Sequence, residues 1–194
     1  MTSQTPTLHV SGPAAADAPG IRELLPGGAR LAVVVVAGVA LAVASLLSYG
    51  VTGEGLVGVV FCPALVLLAA IDLEHRLLPN AVVFPAAALV ALIVAVSAPD
   101  EFLKHLAAGV ALGGFFFAFA AFFPGSVGMG DAKVGFLLGL ALAGRTMEAM
   151  LTACAGLLLV ALSILARRGM AARKEAIPFG PFLAVGGILA FFLG

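Results

Sequence analysis

Seven apolar runs separated by short polar breaks constrain this chain more than any other feature of its sequence. They are Leu31–Tyr49, Gly55–Ile71, Ala81–Ala98, Leu106–Phe123, Ala132–Gly144, Ala149–Ala166 and Pro178–Gly194. A bilayer core about 30 Å thick takes roughly 20 apolar residues of helix, because lipid offers the backbone no hydrogen-bond partner. The runs therefore predict an all-α fold: a polytopic membrane helix bundle with about seven transmembrane helices. Composition closes off the other classes. Apolar residues make up 62% of the 194 and charged residues only 10%, against about a quarter charged in a soluble domain. A disordered chain needs the opposite balance. Ten basic residues stand against ten acidic ones, so nothing in the charge points to nucleic acid as a partner. Cys62 and Cys154 lie far apart inside apolar runs and read as small packing residues, with neither zinc spacing nor a disulfide framework.

Residues 1–30 are rich in Thr, Ser, Pro, Ala and Gly and lack a helical period, which predicts a flexible tail. Residues 31–54 hold the first run and its loop. Ala42-Val43-Ala44 before Ser45 has the form of a signal-peptide cleavage site, but the polar region ahead of it is longer than a signal requires. The fifth run is short enough for a re-entrant segment, and the positive-inside rule decides. If all seven runs cross, eight of the ten Lys and Arg residues fall on the side of the N-terminus and only Lys104 and Arg145 on the other. If the fifth does not cross, the split is five to five. The uneven split is the better reading, and it predicts a cytoplasmic N-terminus. Gly109 with Gly113, and Gly135 with Gly139, form small-xxx-small pairs that let helices approach closely. No internal repeat is visible.

Charge at membrane depth is costly, and two places on the predicted cytoplasmic side carry it. One is Ile71-Asp72-Leu73-Glu74-His75-Arg76-Leu77-Leu78-Pro79-Asn80; the other is Gly125-Ser126-Val127-Gly128-Met129-Gly130-Asp131-Ala132-Lys133. Asp72 ends an apolar run, where the helix dipole disfavours a negative charge. Its plain structural reading is a boundary carboxylate paired with Arg76 one turn on. Asp131 precedes an apolar run and reads equally well as an N-cap, with Gly128 and Gly130 supplying unusual dihedrals. Two predicted helices separate the aspartates, so both return to one side. Two carboxylates that meet there share a proton, one neutral and one ionised. That is the state in which an aspartic protease activates water and polarises a peptide carbonyl. Glu74 and His75 read as solvated boundary residues. Lys133 reads as a lipid-phosphate ligand or a cation acting on Asp131. His105 lies with Lys104 on the far side. The sequence offers no clustered metal-ligand set and no nucleophile–base pair. A different class uses the same two acids, a small proton- or cation-coupled transporter, and it requires them at mid-span.

These residues resemble a known family. Gly128-Met129-Gly130-Asp131-Ala132-Lys133 has the form G-x-G-D-x-K, and Asp72 through Pro79-Asn80 is similar to the family's first aspartate signature. Ile177-Pro178-Phe179-Gly180-Pro181-Phe182 resembles its late I-P-F-G-P segment. Together they look like the type IV prepilin peptidases, membrane aspartyl proteases of the GxGD type, over residues 55–194. The resemblance implies a catalytic membrane domain in that range, in the inner (plasma) membrane, with its active site at the cytoplasmic face. It implies an endopeptidase that removes a basic leader from a prepilin or pseudopilin just before its hydrophobic helix, without a cofactor. Asp72 and Asp131 become the catalytic pair. Gly128, Gly130, Lys133 and Pro79 shape the loops and position substrate. Phe115–Phe117, Phe119, Phe122 and Phe123 face lipid or the substrate helix. Bifunctional members also N-methylate the product and carry cysteine pairs in an N-terminal region; residues 1–30 hold no cysteine, so the resemblance extends to the peptidase alone.

Overall fold

A computed structural model of the protein describes residues 21–123, 128–168 and 177–194. The first 20 residues of the predicted tail, Gly125 to Val127 of the second charged segment, and Arg173 and Lys174 of the basic cluster lie outside that range. The described residues are helical, as expected. The helices are α1 (Ile21–Leu24), α2 (Gly28–Tyr49), α3 (Gly53–His75), α4 (Asn80–Ser97), α5 (Phe102–Phe122), α6 (Met129–Leu142), α7 (Thr146–Arg168) and α8 (Gly180–Leu193). Order begins before the first apolar run: α1 buries Leu24, and α2 starts at Gly28 rather than Leu31.

Among the described residues, five helical stretches are long and apolar enough to cross a membrane, and α8 is a shorter apolar helix. That makes six where the sequence predicts about seven. The difference lies in the fifth and sixth predicted runs, which form one nearly unbroken helical stretch, Met129–Arg168. No polar loop divides it. A single 3-10 turn at Ala143–Arg145 joins α6 to α7, and Ala143 takes φ 46° there. The neighbours of α8 show what that turn does. Gly187 packs against Leu138 of α6, while Gly186 meets Ala149 and Gly194 meets Glu148, both near the start of α7. Phe182, near the start of α8, lies against Gly156 further along α7. Helices α7 and α8 are therefore antiparallel.

Helices α3 and α6 contribute most of the largest fully buried side chains of the core. Phe61, Leu65, Leu68 and Ile71 of α3 are fully buried, as are Leu137 and Leu138 of α6. Helices α5 and α6 approach closely, and the two glycine pairs make the approach possible. A Cβ on Gly139 would stand 2.3 Å from the Ala108 carbonyl oxygen, and one on Gly113 would stand 2.9 Å from Cβ of Phe136. Backbones this close gain dispersion contacts that larger side chains would forbid. Helix α2 lies outside this core and is fastened by polar bonds. Ser45 donates to the Gly55 carbonyl at 2.9 Å, and the Tyr49 hydroxyl donates to the Phe191 carbonyl. The far end of the bundle holds a cavity of about 290 Å³ lined by Glu54, Glu101, His105 and Arg145 among others.

Candidate active site

Asp72 sits in the last turn of α3 and is buried, 6% exposed. Its own helix opposes a negative charge there. The compensation comes from elsewhere in the chain: Oδ2 accepts the Gly180 N–H, at the first turn of α8, at 3.1 Å. A helix N-terminus carries unsatisfied donors and the positive end of the dipole. Among the described residues, the expected ion pair with Arg76 does not form within 4 Å. Arg76 instead ends α3 in the left-handed region (φ 53°, ψ 38°), its N–H bonded to the Asp72 carbonyl at 2.9 Å. The exposed Arg76 side chain lines the same cleft.

Asp131 is 8% exposed and stands at the third residue of α6, not at its cap. The cap position belongs to Gly128. Oδ2 of Asp131 reaches back to accept the Gly128 N–H at 3.0 Å, which is the carboxylate half of a capping box. The expected unusual dihedrals are absent. Gly128 is extended at φ −78°, ψ 147°, and the described glycines with positive φ are Gly28 and Gly50. Gly130 answers to space instead: a Cβ there would stand 2.9 Å from Cβ of Leu78. The absent side chain lets the start of α6 close against the segment that follows Asp72.

Both aspartates line one cleft of about 450 Å³, together with Arg76, Leu78, Met129 and Phe179. Three separate segments thus converge: the end of α3, the start of α6 and the entry to α8. Lys133 borders the same cleft, but its Nζ is held by Oδ1 of Asn80 at 2.6 Å and lies 5.9 Å from the centre of the Phe84 ring. Pro79 caps α4 (φ −70°, ψ 131°), and its carbonyl accepts from Val82 and Val83. It shapes the chain beside the cleft without lining it.

Glu74 points to α2, where it pairs with Arg30 at 2.7 Å. His105 is at the opposite end, its Nδ1 2.8 Å from the Leu140 carbonyl oxygen. Of the phenylalanine cluster, Phe116 turns inward and packs edge-on against Phe179, centroids 5.9 Å apart, whereas Phe115, Phe117 and Phe122 are exposed. Among the described residues, no three His, Cys, Asp or Glu side chains gather as metal ligands would. Sequence reasoning missed Gly180 as the partner of Asp72. The I-P-F-G-P segment was the available signal, but spacing alone does not connect residues 108 positions apart.

Comparison with known proteins follows the same residues. The profile of the type IV leader peptidase family matches residues 59–167, a range that holds both aspartates. The prepilin leader peptidase/N-methyltransferase of Burkholderia pseudomallei (strain K96243) is 31% identical over 180 residues, covering 87% of this chain and 56% of that protein. The protein of the same name from Bacillus subtilis (strain 168) is 31% identical over 149 residues, covering 75% of this chain and 59% of its own length. The chain thus spans little more than half the length of these curated relatives. No solved structure matches it.

Proposed function

Because this chain belongs to the type IV leader peptidase family, we propose that it is a membrane aspartic endopeptidase with Asp72 and Asp131 as its catalytic pair. Its substrate is a prepilin-like precursor: a basic leader followed by a hydrophobic helix that shares the bilayer. One observation carries the reading. Two buried carboxylates from distant segments line one cleft at one end of a membrane bundle, each held by a backbone N–H.

The chemistry follows from a shared proton. The ionised carboxylate takes a proton from water as the water oxygen bonds to the scissile carbonyl carbon. The protonated carboxyl gives its proton to the carbonyl oxygen. The resulting gem-diol then collapses. Its C–N bond breaks, the departing nitrogen takes a proton from the acid that received one, and the other carboxylate takes a proton from a gem-diol hydroxyl as the carbonyl re-forms, which leaves the dyad with a single proton again. The backbone tethers hold each carboxyl in place, so little reorganisation accompanies the transfer. A transport role needs acids at mid-depth, whereas Asp72 and Asp131 sit in a last and a first helical turn.

The basic residues favour a cytoplasmic cleft. Arg30, Arg76 and Lys133 stand at the aspartate end of the bundle, and Arg167 and Arg168 end the helix that returns to it; Lys104 and Arg145 are at the other. The proposal covers peptide cleavage only. Its test is coexpression with a prepilin-like substrate, scored by the size of the pilin band. Asp72→Asn and Asp131→Asn should each abolish cleavage while the protein still inserts. Normal processing by either variant removes that residue from the mechanism.

A further inference from the structure

Gly180 meets Asp72 twice over, through what it donates and through what it lacks. Its N–H donates to Oδ2 at 3.1 Å, and a Cβ built on it would stand 2.5 Å from that oxygen and 2.9 Å from Cγ. Backbone conformation does not demand glycine here, since Gly180 has no positive φ. The carboxyl demands it. The donor is also fixed in place. Phe179 is packed on Phe116 of α5, and Pro181 stiffens the first turn of α8. Further along α8, Gly186 lies against Ala149 and Ala153, and Gly187 against Leu65 and Leu138. A rigid donor and a bare Cα leave the carboxyl of Asp72 one seat against α8.

We infer that Gly180 is a positioning residue that sets the orientation of the Asp72 carboxyl in the cleft. The inference rests on Asp72 being catalytic, as proposed above. The other charged groups facing Asp72 are Asp131 from α6 and Arg76 from the end of α3, with Lys133 bordering the same cleft. A side chain at position 180 pushes the carboxyl away from its donor. Displacement of a reacting group by about 1 Å can cost on the order of a hundredfold in rate.

The first arm of the test is steady-state cleavage of a prepilin-like peptide by the full chain in proteoliposomes. Gly180→Ala should lower kcat by about tenfold or more, leave KM within about twofold, and shift the pH profile. Gly114→Ala, where the added methyl meets open space, should match the wild type. The second arm needs no change at the glycine. Phe179-Gly180 is the only Phe-Gly step in the sequence. Labelling phenylalanine carbonyls with carbon-13 and glycine with nitrogen-15 therefore isolates one amide signal. That signal should move as Asp72 titrates, persist in doing so in Asp131→Asn, and stop in Asp72→Asn. A signal that ignores pH, or titrates alike in Asp72→Asn, overturns the inference, as does an unchanged kcat and pH profile in Gly180→Ala. If Gly180→Ala fails to insert, the amide signal decides. Normal processing by Asp72→Asn would instead remove the catalytic reading, an outcome the cleavage assay separates from both.

Discussion

Asp131 and Asp72 hold their carboxyls by the same device and arrive at it differently. Asp131 uses the first turn of its own helix; Asp72 lies at the unfavourable end of α3 and borrows the first turn of α8. The difference separates stability from activity. In Asp131→Asn the amide oxygen can still accept the Gly128 N–H, which preserves the side-chain half of the capping box. The variant should therefore melt within about 1 kcal/mol of the wild type in a detergent thermal scan, yet cleave nothing. A shared proton also fixes the pH dependence. Two protons leave no base and none leaves no acid, so kcat should rise and then fall with pH. A rate that only rises across the accessible range would remove the dyad. Sequence alone brought both acids into view, because charge beside an apolar run is rare enough to notice. It misjudged Gly128 and Gly130: glycine signals either unusual dihedrals or close approach, and only the position of Leu78 tells which.

Among the helices, the seam between α5 and α6 leaves no room for added volume. Gly139 lies against the Ala108 carbonyl, with no flexible side chain there to give way. Gly139→Ala should destabilise the protein by about 1–3 kcal/mol, read as a lowered melting temperature beside an unchanged Gly114→Ala. Equal melting of the two would mean that the backbones part without cost. Helix α2 is fastened by polar bonds instead. Tyr49→Phe removes the hydroxyl that bonds the Phe191 carbonyl and should cost about 1 kcal/mol. The sequence displayed both glycine pairs, but such pairs occur in most membrane bundles, and their meeting was visible only in three dimensions. The boundary between the fifth and sixth runs was harder still. A chain that turns within three residues, Ala143 to Arg145, leaves almost no polar interval to read.

The bundle as a whole has two unlike ends. One gathers the aspartates with Arg30, Arg76 and Lys133; the other holds Glu54, Glu101, His105 and Arg145 around a smaller cavity. If the cleft faces the cytoplasm, a cysteine placed at Leu77 should react with a membrane-impermeant thiol reagent only in inverted vesicles, and one at Glu101 only in right-side-out cells. The reverse pattern would turn the protein over and with it the proposed substrate access. The overall class was legible because seven apolar runs admit few alternatives. The assembly of the cleft was not, because its third wall arrives so late in the chain.

That late arrival sets a clock on biosynthesis. Asp72 and Asp131 leave the ribosome well before Gly180 does, so a nascent chain already carrying both acids lacks the amide that seats the first. If Asp72 and Asp131 are the catalytic pair, competence would be withheld until α8 has been laid into the bilayer. A chain released before α8 would then stay inert toward its neighbours.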